Sequence, residues 1–123
     1  MINEDYVSFS SAILLKEKGF VGECSRFYMP NGNGRWKYGH YHDFDISERI
    51  DCPTLQMAMK WLRENKGVAI IPIISSILDN EKFLWDIKIV VAKNHTSFSQ
   101  GWVYEKLEQA FEHAIHYSLE NLI

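Results

Sequence analysis

Residues 68–93, with the sequence VAIIPIISSILDNEKFLWDIKIVVAK, contain two strand patterns separated by a turn. The first pattern, Val68–Ile74, is almost wholly apolar and β-branched, which predicts a strand covered on both faces. Pro72 has no amide hydrogen to give to a sheet, so it indicates an edge strand or a bulge. Residues 79–81, Asp-Asn-Glu, are typical of a turn.

The second strand pattern runs from Lys82 to Lys93 and has a period of two residues. Its apolar side chains are Trp85, Ile87, Ile89 and Val91. Asp86 and Lys88 lie between them, so we expect one buried and one exposed face. Because consecutive strands joined by a short turn usually pair, the two strands are expected to be antiparallel neighbours.

Helices are predicted on both sides of these strands. Before them, Pro53 and Thr54 begin a helix whose apolar residues recur at helical spacing, and Gly67 ends it in the left-handed conformation. After them, residues 94–101 are polar and predict a loop, and Tyr104–Leu122 predicts the longest helix. The apolar face of this last helix carries Leu107, Phe111, Ala114, Ile115, Ser118 and Leu122.

The N-terminal part predicts a helix followed by a hairpin. Ser8 is suited to cap the helix and Gly19 to end it. Two extended segments, Val21–Met29 and Arg35–Ile46, flank the turn-rich sequence Pro30–Gly34.

The predicted order is therefore α-β-β-α-β-β-α, which indicates the α+β class. We expect an antiparallel four-stranded sheet with helices packed mainly on one face. At 123 residues, the chain is expected to form a single globular domain spanning 1–123. The end of the first helix, residues 14–19, is similar to residues 61–67, so a duplication of two αββ units stays open.

Composition limits the classes of function. The formal net charge is −3, which gives no broad positive field for nucleic acids. The two cysteines, Cys24 and Cys52, fit no CxxC motif and predict reduced thiols. The first residues lack the order of a signal peptide, and no apolar stretch approaches the ~20 residues of a membrane span, so we expect a cytoplasmic protein with no membrane partner.

Aromatic and basic residues are concentrated in the first hairpin, and aromatic residues make up 14% of the chain. Candidate binding residues there are Arg35, Trp36, Tyr38, His40, Tyr41 and His42. Arg26 and Tyr28 lie on the facing arm. Rings interleaved with cations can stack on unpaired bases while the cations contact phosphates, so binding of single-stranded nucleic acid is one hypothesis. Cross-strand stabilisation of the hairpin is the structural alternative.

His40 and His42 project from the same side of the predicted strand, where two imidazoles can share a metal ion. A third ligand would have to come from a distant segment, such as His113 or His116. A small metal-dependent enzyme is therefore an alternative hypothesis. Packed or rim histidines are the other interpretation, so no metal site is assigned.

No other motif indicates catalysis or a cofactor. Neither cysteine lies in a nucleophile motif, and Ser75-Ser76 has no evident base. The glycine-rich residues 31–35 lack the context of a phosphate loop. We therefore expect a non-enzymatic protein without a cofactor.

Three segments carry a family resemblance: residues 8–20, the stretch PTLQMAMKWLRE at 53–64, and Tyr104-Glu105 together with AIHYSLENLI at 114–123. They resemble short proteins of gut Bacteroidales and of their phages or mobile elements, a group with no established activity. The resemblance implies an intracellular accessory protein.

The first functional hypothesis is a binding or interaction module. It would act through an exposed aromatic edge or an open sheet face on a protein partner, and a homodimer is one version, since an unpaired strand edge needs cover.

Overall fold

The computed structural model describes residues 5–22, 24, 26–28, 36–38, 50–99, 101 and 103–123. Within these residues the helices are α1 (Phe9–Glu17), α2 (Leu55–Trp61) and α3 (Leu107–Asn121). The strands are β1 (Arg26–Tyr28), β2 (Trp36–Tyr38), β3 (Ile50–Asp51), β4 (Val68–Ile77), β5 (Phe83–Val91) and β6 (Thr96–Ser99). The predicted α+β class is confirmed.

The strands form two antiparallel three-stranded sheets, with the orders β2-β1-β3 and β4-β5-β6. The prediction of a single four-stranded sheet was wrong. Both predicted strand pairs, β1–β2 and β4–β5, are present, and the turn predicted at residues 30–34 lies outside the described residues. Each sheet takes its third strand from a segment without a strand pattern. β3 has two residues, and β6, with the sequence TSFS, lies inside the predicted loop at 94–101. Neither segment has a strand pattern in its own sequence. Each is extended because it pairs with a neighbouring strand.

The helices do not share one face of a common sheet, which corrects the second part of that prediction. α1 contacts β3, whereas α3 contacts β4 and β5 and also packs on α1 and α2. The predicted apolar face of α3 is confirmed, because Phe111, Ala114, Ile115 and Ser118 are buried there. The helix begins at Leu107, three residues after the predicted start at Tyr104.

The helix ends follow the predicted signals. The Ser8 side chain accepts a hydrogen bond from the Ser11 amide at the start of α1. At its end, Gly19 has φ +90°, and the Phe20 amide bonds to the Leu15 carbonyl, as in a Schellman motif.

The second predicted helix also begins and ends as expected. The Thr54 side chain caps α2 by accepting from the Met57 amide. A π-helical turn, Leu62–Lys66, continues α2 to Gly67, which has φ +65°.

The apolar core lies where α1, α2 and α3 meet the base of the β4–β5 hairpin. Its fully buried members include Ala12, Leu15, Ala58, Leu62, Val68, Ala110, Ile115 and Leu119. Among the described helices, none has the length and apolar character required to cross a membrane.

β4 differs from its prediction in length and burial. It extends three residues beyond the predicted end at Ile74, and only Val68 at its base is buried. The expectation of cover on both faces was therefore wrong, because the helices cover only the base of the hairpin. The expected edge position is confirmed, since β5 is the only described strand that pairs with β4.

Candidate functional site

The candidate residues of the first hairpin are described only in part. Trp36 and Tyr38 lie on β2, where they pair with Tyr28 and Arg26 of β1. Arg35, His40, Tyr41 and His42 lie outside the described residues, so the predictions made for them stay predictions.

The facing arm of this hairpin is already engaged in the fold. Tyr28 is buried, and its ring packs edge-on against Phe9 with 4.9 Å between ring centroids. The Arg26 guanidinium lies 3.9 Å from the centroid of the Tyr6 ring. The Tyr28 ring is therefore not available for stacking on a base.

His113 and His116, the suggested distant metal ligands, lie on α3 and bond to protein groups. His116 contacts Ser11 Oγ through Nδ1 at 3.2 Å and Glu120 Oε1 through Nε2 at 2.9 Å. His113 Nδ1 is hydrogen-bonded to the Tyr104 hydroxyl. No group of three metal-ligating side chains occurs within the described part of the chain.

The Tyr104–His113 pair favours its neutral state. Burial lowers the pKa of His113, and the nearby His116 lowers it further. Burial and the Asp86 carboxylate raise the pKa of Tyr104. Around neutral pH the pair is therefore an uncharged tyrosine hydrogen-bonded to an uncharged imidazole.

An open cleft of about 580 Å³ lies between the start of α1 and α3. Tyr6 and Tyr104 contribute rings to it, and Asp5, Glu108 and Glu112 contribute carboxylates. Its described lining contains no lysine or arginine. Such a lining repels phosphate groups, so the cleft does not support the nucleic-acid hypothesis.

Glu112 has a structural role in this cleft. Its Oε1 accepts hydrogen bonds from the Ser8 amide at 3.1 Å and from Ser11 Oγ at 2.7 Å. In a capping box, the amide of the N-cap residue bonds to a glutamate on the same helix. Here the residue at that position is Ser11, and α3 supplies the carboxylate instead. Glu112 thus fastens the N-terminus of α1 to α3.

Two successive hydrogen bonds join Ser11, His116 and Glu120, which are the residue types of a catalytic triad. Ser11, however, is 0% exposed, and its hydroxyl donates a hydrogen bond to Glu112 Oε1. A nucleophile must reach its substrate and pass its proton to the histidine. These hydrogen bonds therefore belong to the packing between α1 and α3.

Both cysteines are buried, and neither forms a disulfide. Cys52 Sγ donates to the Val7 carbonyl at 3.4 Å, and burial raises the pKa of this thiol. Since the thiolate is the reactive form, Cys52 is poorly suited to nucleophilic chemistry.

The distal half of the β4–β5 hairpin extends beyond the helices and carries exposed apolar side chains. A β-bulge interrupts the register, because Ile74 lies opposite Trp85 whereas Ser76 lies opposite Leu84. The extra residue reverses the alternation of side chains along β4. Ile77 consequently lies opposite Phe83 and on the same face as Ile74.

We call Ile74, Ile77, Phe83 and Trp85 the distal strip. It lies on the same sheet face as Ile87, Ile89 and Val91, which are buried at the base of the hairpin. Exposure is 49% at Ile74, 65% at Ile77 and 43% at Phe83. The distal strip is thus an extension of the core face that no described helix covers.

Pro72 makes the edge of β4, which no described strand covers, less able to pair with another strand. The backbone groups of Trp85 bond to Tyr104, on the side away from β4, at 2.8 Å in both directions. Its partner Ile74 therefore belongs to a pair without mutual hydrogen bonds, and so does Pro72, two residues earlier. At such positions the backbone nitrogen faces the free edge. The nitrogen of Pro72 has no hydrogen to donate there, which discourages addition of another strand.

The chain matches no protein-family model, no curated protein and no solved structure. The resemblance to proteins of Bacteroidales and their mobile elements accordingly stays a prediction.

The distal strip was missed in the sequence because Val68–Ile74 resembles a strand buried on both faces. Two signals were present. Pro72 indicated an edge, and the polar pair Ser75-Ser76 before Ile77 is out of phase with a simple alternation.

Proposed function

We propose that this chain is a non-enzymatic interaction module that binds a protein partner through the distal strip. The observation that carries the proposal is the exposure of Ile74, Ile77 and Phe83 on one contiguous sheet face. Large contiguous apolar patches are uncommon on monomeric proteins and mark interaction sites.

The position of the bulge supports this function. With regular alternation, Ile77 would lie on the face opposite Ile74, together with Ile71 and Ile73. The bulge places both side chains beside Phe83 and Trp85. Bulges commonly re-aim side chains at functional positions.

The engagement of candidate nucleophiles and carboxylates within the fold supports a non-enzymatic protein. Glu112 and Ser11 are engaged between α1 and α3, and Cys52 is a buried thiol. We propose that the module acts in the cytoplasm, where such thiols stay reduced. An association with phages or mobile elements belongs to the same proposal.

Site-specific photocrosslinking in living cells tests the function. A benzophenone amino acid placed at Ile77 should give a discrete protein adduct. The same group at Val21, which is 82% exposed and lies outside the hairpin, should not. The Ile77 adduct should disappear when Ile74→Asp is introduced in the same chain. Absence of an adduct at Ile77, or equal adducts at both positions, would show that no protein binds the distal strip.

Single-stranded nucleic-acid binding through Arg35 and Trp36 stays a separate prediction. It requires salt-dependent retention on oligonucleotides that weakens with Trp36→Ala.

A further inference from the structure

We propose that the partner of the distal strip is a second copy of this chain, packed face to face about a two-fold axis. This inference rests on the interaction function proposed above and adds the identity of the partner. In the dimer, the distal strips of the two copies interdigitate as the inner faces of two packed sheets do. A two-fold interface uses the same patch on both copies, so one apolar face is sufficient to form it.

The size of the apolar surface fits such a dimer. Ile74, Ile77 and Phe83 are 49%, 65% and 43% exposed, which leaves roughly 300 Å² of mainly apolar surface open per chain. A standard interface takes roughly 450–500 Å² of apolar surface from each partner, the remainder being a polar rim. Two distal strips in contact therefore supply the larger part of the apolar centre of such an interface.

The charge pattern also favours a second copy. The eleven residues Val68–Leu78 include no Asp, Glu, Lys, Arg or His. Two identical surfaces repel each other when they carry a net charge, because every charge meets its own kind. The distal strip has no charged side chain, so two copies can approach without like charges at the centre of the contact. The charged residues Asp79, Glu81 and Lys82 are confined to the turn.

Pro72 distinguishes face packing from edge pairing. A dimer made by pairing two β4 edges would leave the carbonyl opposite each Pro72 without a donor. It would also involve side chains of both faces of β4, including Ile71. Face-to-face packing needs no backbone donor and uses only one face. The geometry therefore predicts a dimer that depends on Ile74 and Ile77 and does not depend on Ile71.

Sedimentation velocity of the full chain, over concentrations up to about 100 μM, measures the association directly and detects a dimer Kd in the micromolar range. We expect a monomer–dimer equilibrium. Ile77→Asp and Ile74→Asp, tested separately, should each raise the dimer Kd at least about ten-fold, because they place a charge in the apolar contact.

The matched control is Ile71→Asp. Ile71 is 43% exposed on the same strand, but it lies on the other face, opposite Lys88, which would pair with the new carboxylate. We expect its dimer Kd to stay within about two-fold of that of the original chain. Far-UV circular dichroism and thermal unfolding should be nearly the same for all variants, since the three isoleucines are exposed.

Several outcomes would overturn the inference. A chain that is monomeric throughout the concentration range has no self-association. A dimer that Ile71→Asp weakens as much as Ile77→Asp pairs through its edge, and a dimer that resists both strip substitutions uses another surface. The crosslinking result separates this inference from the proposed function. An adduct at Ile77 of twice the 14.4 kDa chain mass supports both, whereas an adduct of another mass supports the function and refutes the second copy.

Discussion

Truncation of Glu112 to alanine should destabilise the fold by detaching the N-terminus of α1 from α3. Glu112 Oε1 accepts hydrogen bonds from the Ser8 amide and the Ser11 hydroxyl. A hydrogen bond to a charged group contributes about 1.5–3 kcal/mol, so two bonds set an upper limit near 6 kcal/mol.

Two features reduce this loss. The Ser11 hydroxyl keeps His116 Nδ1 as an alternative acceptor at 3.2 Å. Glu112 Oε2 is buried without a hydrogen-bond partner among the described residues, and its removal relieves a desolvation cost. We therefore expect Glu112→Ala to lower the free energy of unfolding by about 2–3 kcal/mol.

A double-mutant cycle isolates the bond between Ser11 and Glu112. Urea unfolding, followed by circular dichroism, would be measured for Ser11→Ala, Glu112→Ala, the double variant and the original chain. The coupling energy should be about 1–2 kcal/mol, because the 2.7 Å contact joins a hydroxyl to a carboxylate. Glu108→Ala, one turn earlier on α3, is the control and should cost no more than about 1 kcal/mol. A coupling energy below about 0.5 kcal/mol would refute a stabilising bond between Ser11 and Glu112.

Two further predictions concern His113 and Gly67. Because the fold lowers the pKa of His113 below 6.5, the unfolded chain takes up the proton first as the pH falls. Stability should therefore decline as the pH falls from 6.5 through the folded pKa, with less decline in His113→Asn, and an NMR titration midpoint at or above 6.5 would contradict this. Gly67→Ala should lower the free energy of unfolding by about 1 kcal/mol in thermal or urea unfolding, because Gly67 has φ +65°. The new Cβ would not clash, since it would lie 3.5 Å from Ala92 Cβ. Gly67→Asn should cost less because asparagine tolerates this conformation, and equal costs would argue against backbone strain.

The contacts of the polar side chains could not be predicted where the two partners lie far apart along the chain. The sequence suggests His116 as a metal ligand because imidazole nitrogens suit zinc. In the fold, its two ring nitrogens contact Ser11 and Glu120. The contact with Ser11 spans 105 residues of sequence. No pattern within either helix indicates it, so the role of His116 could not be predicted from α3 alone.

Local sequence patterns were enough to predict most helices and the longer strands of this protein. Ser8 and Thr54 begin helices, Gly19 and Gly67 end them, and the alternation along β5 marks its buried face. These features could be predicted because the groups that satisfy them lie within a few residues along the chain.

The way these elements combine depends on contacts between distant parts of the chain. The division into two sheets depends on β3 and β6, which are extended because another strand pairs with them. The exposure of Ile74 and Ile77 depends on where the covering helices end, since an apolar strand has the same local pattern whether or not a helix packs on it. Burial is a property of the neighbours of a residue, and here those neighbours come from distant parts of the chain.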